Sequence, residues 1–254
     1  MGRVDVGRRS SGGFLGGLAE MPYFYHADIR VDGLLWYHTR ALPSTQFYIS
    51  QPYPVIHNYG LTLALAGFIV DPDMGYASLF NLTRYKRPLE LYYRYGVYAY
   101  PPLVVKALLG EVLMAAMNEG IATLRGRSRL AYPLFTKNTI LMPGSQLRTL
   151  IIVSEDRAED VGLPRKLVVR IGAKRGGVLR LRLQRVEPEF VENAVVSHPF
   201  NLLDSVRVDE YTVILPHPAG DIGVFGRASE ALEYEIRVGR TRRVKVTVPV
   251  LEGM

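Results

Sequence analysis

Eight basic residues, Arg165, Lys166, Arg170, Lys174, Arg175, Arg180, Arg182 and Arg185, fall between Val161 and Val186 without a carboxylate among them. Guanidinium forks grip phosphate oxygens bidentately and stack on flat rings, so such a run suits a polyanion. Three further basic clusters recur along the chain: Arg84–Arg94, Arg125–Lys137 and Arg240–Lys245. Seven of the sixteen tyrosines lie between Tyr76 and Tyr100, interleaved with the first of these. Guanidinium groups on phosphates, aromatic faces under splayed bases and glycines that let backbone amides come close are the chemistry of single-stranded RNA binding. The candidate contacts are Arg84, Lys86, Arg87, Tyr92, Arg94, Arg125, Arg127, Arg129, Lys137, Lys174, Arg175, Gly176, Gly177, Arg180 and Arg182. A solvated strand face explains any one cluster, and a core or interface explains the tyrosines. Four clusters opposed by one acidic region favour RNA.

Catalytic chemistry is thinly provided. The five histidines, at 26, 38, 57, 198 and 217, show no ligand spacing, and no phosphate-loop, zinc-helix or nucleophile-elbow motif occurs. The absence of cysteine removes disulfides, Cys-ligated metal and thiol nucleophiles. Asp71-Pro72-Asp73 and the pairs Glu155-Asp156 and Glu159-Asp160 read better as turns and solvated loops than as magnesium ligands. No metal or other cofactor is expected. A lone histidine can still act as general base at a ribose 2′-hydroxyl. His57, beside an apolar helix start, is better explained as packing at the helix entrance. His26 and His38 are expected on facing strands.

The chain has 254 residues and a formal charge of +7, with 25 Arg against 6 Lys. A GC-rich genome would give the same arginine excess without function. With 48% hydrophobic residues the composition is that of a folded globular protein. Arg8-Arg9 lacks the apolar core that an export signal needs, and the apolar run Pro102–Met117 carries Lys106 and Glu111. The expectation is a cytoplasmic protein with no membrane partner.

Three stretches organise the chain. Residues 1–20 are a Gly/Ser/Arg-rich flexible extension. Residues 21–186 read as a core that includes the Tyr/Arg-rich segment 71–100, and 187–254 as an acidic, β-rich C-terminal region ending in a basic hairpin. Tyr23–Val31 and Leu34–Arg40, joined at Asp32-Gly33, predict a hairpin. The apolar stretch 59–70 predicts a buried helix capped by Asn58, and Pro101-Pro102 a second helix over Leu103–Asn118. Strands are predicted at 146–154, 166–172, 178–186, 231–238 and 244–250. In the third of these Leu179, Leu181 and Leu183 alternate with Arg180, Arg182 and Gln184, which leaves one face apolar and the other cationic. From Glu187 to Glu235 ten acids face only Arg207 and Arg227.

Several segments occur in the order of a known family. They are Tyr-His-Ala-Asp-Ile-Arg-Val-Asp-Gly-Leu-Leu-Trp-Tyr-His-Thr-Arg (25–40), Ile-His-Asn-Tyr-Gly-Leu-Thr-Leu-Ala-Leu (56–65) and Gly-Val-Tyr-Ala-Tyr-Pro-Pro (96–102), followed by Leu-Met-Pro-Gly-Ser-Gln-Leu (141–147), Leu-Pro-Arg-Lys-Leu-Val-Val-Arg-Ile-Gly (163–172) and His-Pro-Phe-Asn-Leu-Leu-Asp (198–204). On these the chain resembles the type I-D CRISPR-associated proteins of the Cas-five group, in the RAMP superfamily. It departs at Val168, Val169 and Ile171, where that family tends to carry a tryptophan-bearing strand, and at Ile140-Leu141-Met142.

The resemblance implies an α+β fold: a ferredoxin-like, RNA-recognition-type core with an antiparallel sheet and an accessory β-rich C-terminal region. It also implies a non-catalytic subunit that holds the 5′ handle of the CRISPR RNA, caps the backbone filament and contacts the large subunit, with target DNA near the protospacer-adjacent motif as a further partner. The rival from the same superfamily is a metal-independent endoribonuclease processing CRISPR precursor RNA, with His26, His38, His57 and Lys137 as its candidates. A protein–protein scaffold with incidental basic charge is the second rival.

Overall fold

The computed structural model describes residues 22–36, 41–43, 48–50, 55–70, 87–116, 134–156, 163–171, 177–216, 219–239 and 241–254. In chain order these form β1 (Tyr23–Val31), β2 (Ala41–Pro43), β3 (Tyr48–Ser50), α1 (Asn58–Val70), α2 (Pro88–Tyr95), β4 (Val97–Ala99), β5 (Leu103–Lys106) and β6 (Leu109–Ala116). There follow β7 (Leu134–Leu141), β8 (Gln146–Val153), β9 (Lys166–Ile171), β10 (Gly177–Val186), β11 (Glu189–Val195), β12 (Phe200–Asn201), β13 (Val208–Asp209) and β14 (Thr212–Leu215). The chain closes with β15 (Ile222–Val224), β16 (Arg227–Val238) and β17 (Arg242–Pro249). The described chain is thus mostly β, with few helices and largely antiparallel sheets.

The central sheet runs β4-β8-β1-β10-β9, with β5 also paired to β8. Its strands alternate. Ala27, Ile29 and Val31 of β1, Leu179, Leu181 and Leu183 of β10, and Leu167, Val169 and Ile171 of β9 point to one side and are buried there with Leu61, Leu65 and Ile69 of α1. Helix α1 is apolar on every side because it is buried over nearly its whole length. A second core lies on the opposite side of the same sheet. There Phe24, Tyr98, Tyr100, Leu150 and Ile152 meet Leu232, Tyr234, Val246 and Val248 of the C-terminal sheet, which is built of β11-β16-β13 with β17 along β16. The C-terminal sheet therefore covers part of the central sheet and leaves the rest open.

Three expectations change. Leu34–Arg40 is not the hairpin partner of β1, because β8 and β10 occupy both edges of that strand along its length; Leu35 instead bridges Leu141, and 37–40 lie outside the described residues. The expected helix over 103–118 is β5 and β6. A short apolar run satisfies a buried strand and a buried helix equally, and here pairing with β8 and β7 decides. The cap of α1 is His57 rather than Asn58, since His57 Nδ1 accepts the Tyr59 backbone N–H at 3.0 Å.

Candidate nucleic-acid interface

The open part of the central sheet carries the polar half of its alternation. In register across the strands, Arg30 stands between Gln146 and Arg180, and Asp28 between Arg148 and Arg182, with Lys166 beyond Arg182. Two carboxylates hold part of this charge. Asp32 pairs with Arg30 at 3.2 Å and Arg180 at 2.8 Å, and Asp28 accepts from Arg148 Nε at 3.1 Å. Hydrogen bonding from His26, reinforced by Arg148, keeps the Asp28 carboxyl below its ordinary range. Exposed pairs of this kind contribute little stability. Their effect is to fix guanidinium positions on a surface that keeps a cationic excess: among the described residues nothing pairs with Arg182, Lys166 or Arg170.

Depressions of ≈ 460 and 340 Å³ lie on this face, a third of ≈ 550 Å³ reaches round the sheet past the start of β9, and Arg182 lines all of them. The first is flanked by Arg165 and Lys166, the second by Arg30, Arg148 and Arg180, and the third reaches Arg237 on the C-terminal hairpin. The result is a connected cationic path that crosses the side of the sheet away from α1 and ends where the sheet meets the C-terminal hairpin. A nucleic-acid backbone can follow it with phosphates on guanidinium groups.

Of the residues expected at an RNA site, Arg180 and Arg182 lie on this path. Gly177 opens β10, where a Cβ would strike Leu35 and the Ile171 carbonyl, so close packing accounts for the glycine. Arg94 lies 5.2 Å over the Tyr95 ring. Tyr92 is half-buried against the second core, and burial raises its hydroxyl to about 12. Lys137 sits in β7, opposite Leu113 and beside Ile49. Arg84, Lys86, Arg125, Arg127, Arg129, Lys174, Arg175 and Gly176 lie outside the described residues. In the last basic cluster, Lys245 pairs with Glu233 at 2.6 Å and Arg243 with Glu235 at 3.4 Å. Arg30 and Arg148 lie outside the four basic clusters of the sequence. Each stands alone in its strand and joins the basic face only through strand pairing, though the alternation of β1 would have placed Arg30 outward.

Arg87 belongs to a different structure. Its Nε donates at 3.0 Å to Asp204 Oδ1, its other end pairs with Glu252, and Asp204 is fully buried. The Tyr98 hydroxyl donates to Asp204 Oδ2 at 3.1 Å and accepts from Asn58 Nδ2 at 2.9 Å. Asn58 Oδ1 in turn accepts from Asn201 Nδ2 at 3.3 Å. Gly220, at φ +111°, lets its backbone lie against Asn201, while its carbonyl accepts His57 Nε2–H at 2.9 Å. Desolvation raises Asp204 to about 6 despite the arginine beside it. This buried knot joins α1, α2, β4, the 201–204 turn and the C-terminus. Three of the segments that carry the family resemblance, 56–65, 96–102 and 198–204, converge on it, so their shared chemistry is that of assembly.

The described histidines are likewise occupied, and His38 and His217 lie outside the described residues. Both ring nitrogens of His57 are hydrogen-bonded. His26 is buried between Tyr234, 3.4 Å from Nδ1, and Asp28. His198 is buried edge-on to Tyr100, and burial lowers it to about 4. Among the described residues no group of three His, Asp or Glu side chains could hold a metal ion, and no helix is long and apolar enough to cross a membrane.

Comparison with known proteins gives one family and, among solved structures, distant likenesses. The family described as "Type I-D CRISPR-associated protein Cas5/Csc1" matches residues 22–220. A CRISPR protein from Archaeoglobus fulgidus is similar over 90% of this chain and 99% of its own, at 12% identity and a TM-score of 0.40. A chain of the type III-B Cmr-beta assembly, solved bound to cognate target RNA and AMPPnP, is similar over 89% of this chain and 84% of its own, at 10% identity and a TM-score of 0.35. No curated protein matches.

Proposed function

Since the chain belongs to the type I-D CRISPR-associated Cas5/Csc1 family, we propose that it is a non-catalytic RNA-binding subunit of a CRISPR effector complex. In this reading it holds the 5′ handle of the guide RNA, caps the backbone filament and contacts the large subunit near the protospacer-adjacent motif. The observation that carries it is the connected cationic path crossing the open sheet face at Arg182. Among the described residues this face offers guanidinium groups without a free histidine to take a 2′-hydroxyl proton: His57 has both nitrogens engaged, and His26 is buried under the C-terminal sheet.

The finer architecture reads as ferredoxin-like. Strands β1, β4, β8 and β10, with α1 after β1, give the chain order β–α–β–β–β, and their sheet order β4-β8-β1-β10 is the interleaved one of that fold. Strand β9 extends the edge, on the chain segment where the fold would carry its second helix.

The test is binding of the full chain to repeat-derived RNA across a salt series. Affinity should fall as salt rises, with a log–log slope of about −0.7 for each phosphate contact on a single strand. The RNA should remain full length over hours, with and without magnesium. A slope near zero would remove the electrostatic basis of the reading, and specific cutting within the repeat would transfer it to the endonuclease.

A further inference from the structure

Of the three depressions, the ≈ 550 Å³ cleft at the junction of the central sheet and the C-terminal hairpin differs in kind. The first is lined by charged side chains alone and the second carries one amide, Gln146, with no aromatic residue beside it, whereas this one combines Arg165, Arg182, Arg185 and Arg237 with both an amide, Gln184, and a tyrosine, Tyr25. Its shape follows from strand pairing. Pairing of β9 with β10 ends at Lys166–Arg182, with one further bond from Leu183 N–H to the Arg165 carbonyl. Past that point Gln184 and Arg185, which point to opposite faces of the strand, both reach the cleft. The Arg185 guanidinium lies 4.2 Å from the Tyr23 ring centroid and is held as a flat plane. Gln184 is exposed and has no hydrogen-bond partner among the described residues. Of the exposed lining side chains, only its amide presents a donor and an acceptor side by side, the pattern that a base edge presents in return. The arginines only donate and Asp28 only accepts. The volume lies within the range of small-ligand sites.

We propose that this cleft is a base-reading site, in which one nucleotide of the bound RNA is held with its phosphate among the arginines and its base edge on the Gln184 amide. The proposal rests on the RNA-binding reading above and goes beyond it: the open face binds any sequence, and selectivity resides in Gln184. The test uses the full chain and a set of repeat-derived RNAs that differ by single bases. Wild type should discriminate about tenfold at one position, the scale of a bidentate amide–base contact. Gln184→Ala should level that preference to within twofold and leave the salt slope unchanged. Arg237→Ala should weaken all sequences alike and reduce the slope magnitude by about 0.7. Salt-dependent binding with no base preference, or a preference that survives Gln184→Ala, overturns the proposal and leaves the RNA-binding reading intact. A folded chain that binds none of the RNAs overturns both.

Discussion

Arg87 and Arg182 entered the sequence reading as equals, and the fold gives them opposite work. Arg87 is about one-third exposed and directs its fork inward to a fully buried carboxylate. Arg182 stands on an open sheet face with no partner among the described residues and lines three depressions. A charge is structural when desolvation has made its loss expensive, and it is available to a ligand when water still solvates it. The same distinction separates the two regions as wholes. The Asp204 knot binds five segments by hydrogen bonds in low dielectric, while the cationic face gains almost no stability from its exposed pairs.

Arg87→Ala should break the knot most severely, because it leaves Asp204 buried without its cation. A loss of about 3 kcal/mol is expected, the low end for a broken buried pair because the guanidinium is partly exposed. Denaturant unfolding measures it, and RNA affinity per folded molecule should not change. An effect on affinity larger than on stability would move Arg87 to the RNA site.

The pH dependence sharpens the comparison through two buried groups. Asp204 titrates at about 6 in the fold against 3.8 for an ordinary aspartate, so between those values the folded state holds the extra proton and stability falls as pH rises. His198 titrates at about 4 against 6.5, so the unfolded state holds the extra proton and stability rises with pH over that window. Relative to wild type, Asp204→Asn should gain stability with pH between 4 and 6, and His198→Leu should lose it between 4 and 6.5. Each trend is worth up to about 3 kcal/mol at 1.36 kcal/mol per pH unit. Melts across pH measure both, and trends of equal sign would refute the assignment.

The smallest expected stability effect belongs to the open face. Lys166→Ala combined with Arg182→Ala should change unfolding free energy by less than about 0.5 kcal/mol. The same pair should reduce the magnitude of the RNA salt slope by about 1.4, two single-strand contacts. A destabilised double variant with an unchanged slope would erase the distinction between face and knot.

What sequence alone determined is whatever has a short period or a single-residue cause. The apolar run of α1, the leucine–arginine alternation of β10 and the strands now seen as β8, β9, β16 and β17 were legible because side-chain direction repeats every two residues in a strand, and because a run apolar on all sides must be buried. The absence of cysteine and the basic stretch from Val161 to Val186 were equally local facts. Tertiary structure alone decided which basic residues share a surface. Arg30, Arg148 and Arg182 are far apart in sequence and become neighbours only because β1 is flanked by β8 and β10. It also decided that the apolar residues after Pro102 would be strands, since pairing rather than period chose between them. Above all, it turned Asn58, Arg87, Tyr98, Asn201 and Asp204 into one network. None of these residues has a sequence period, because the cost that unites them, burying polar groups without partners, exists only once the segments meet.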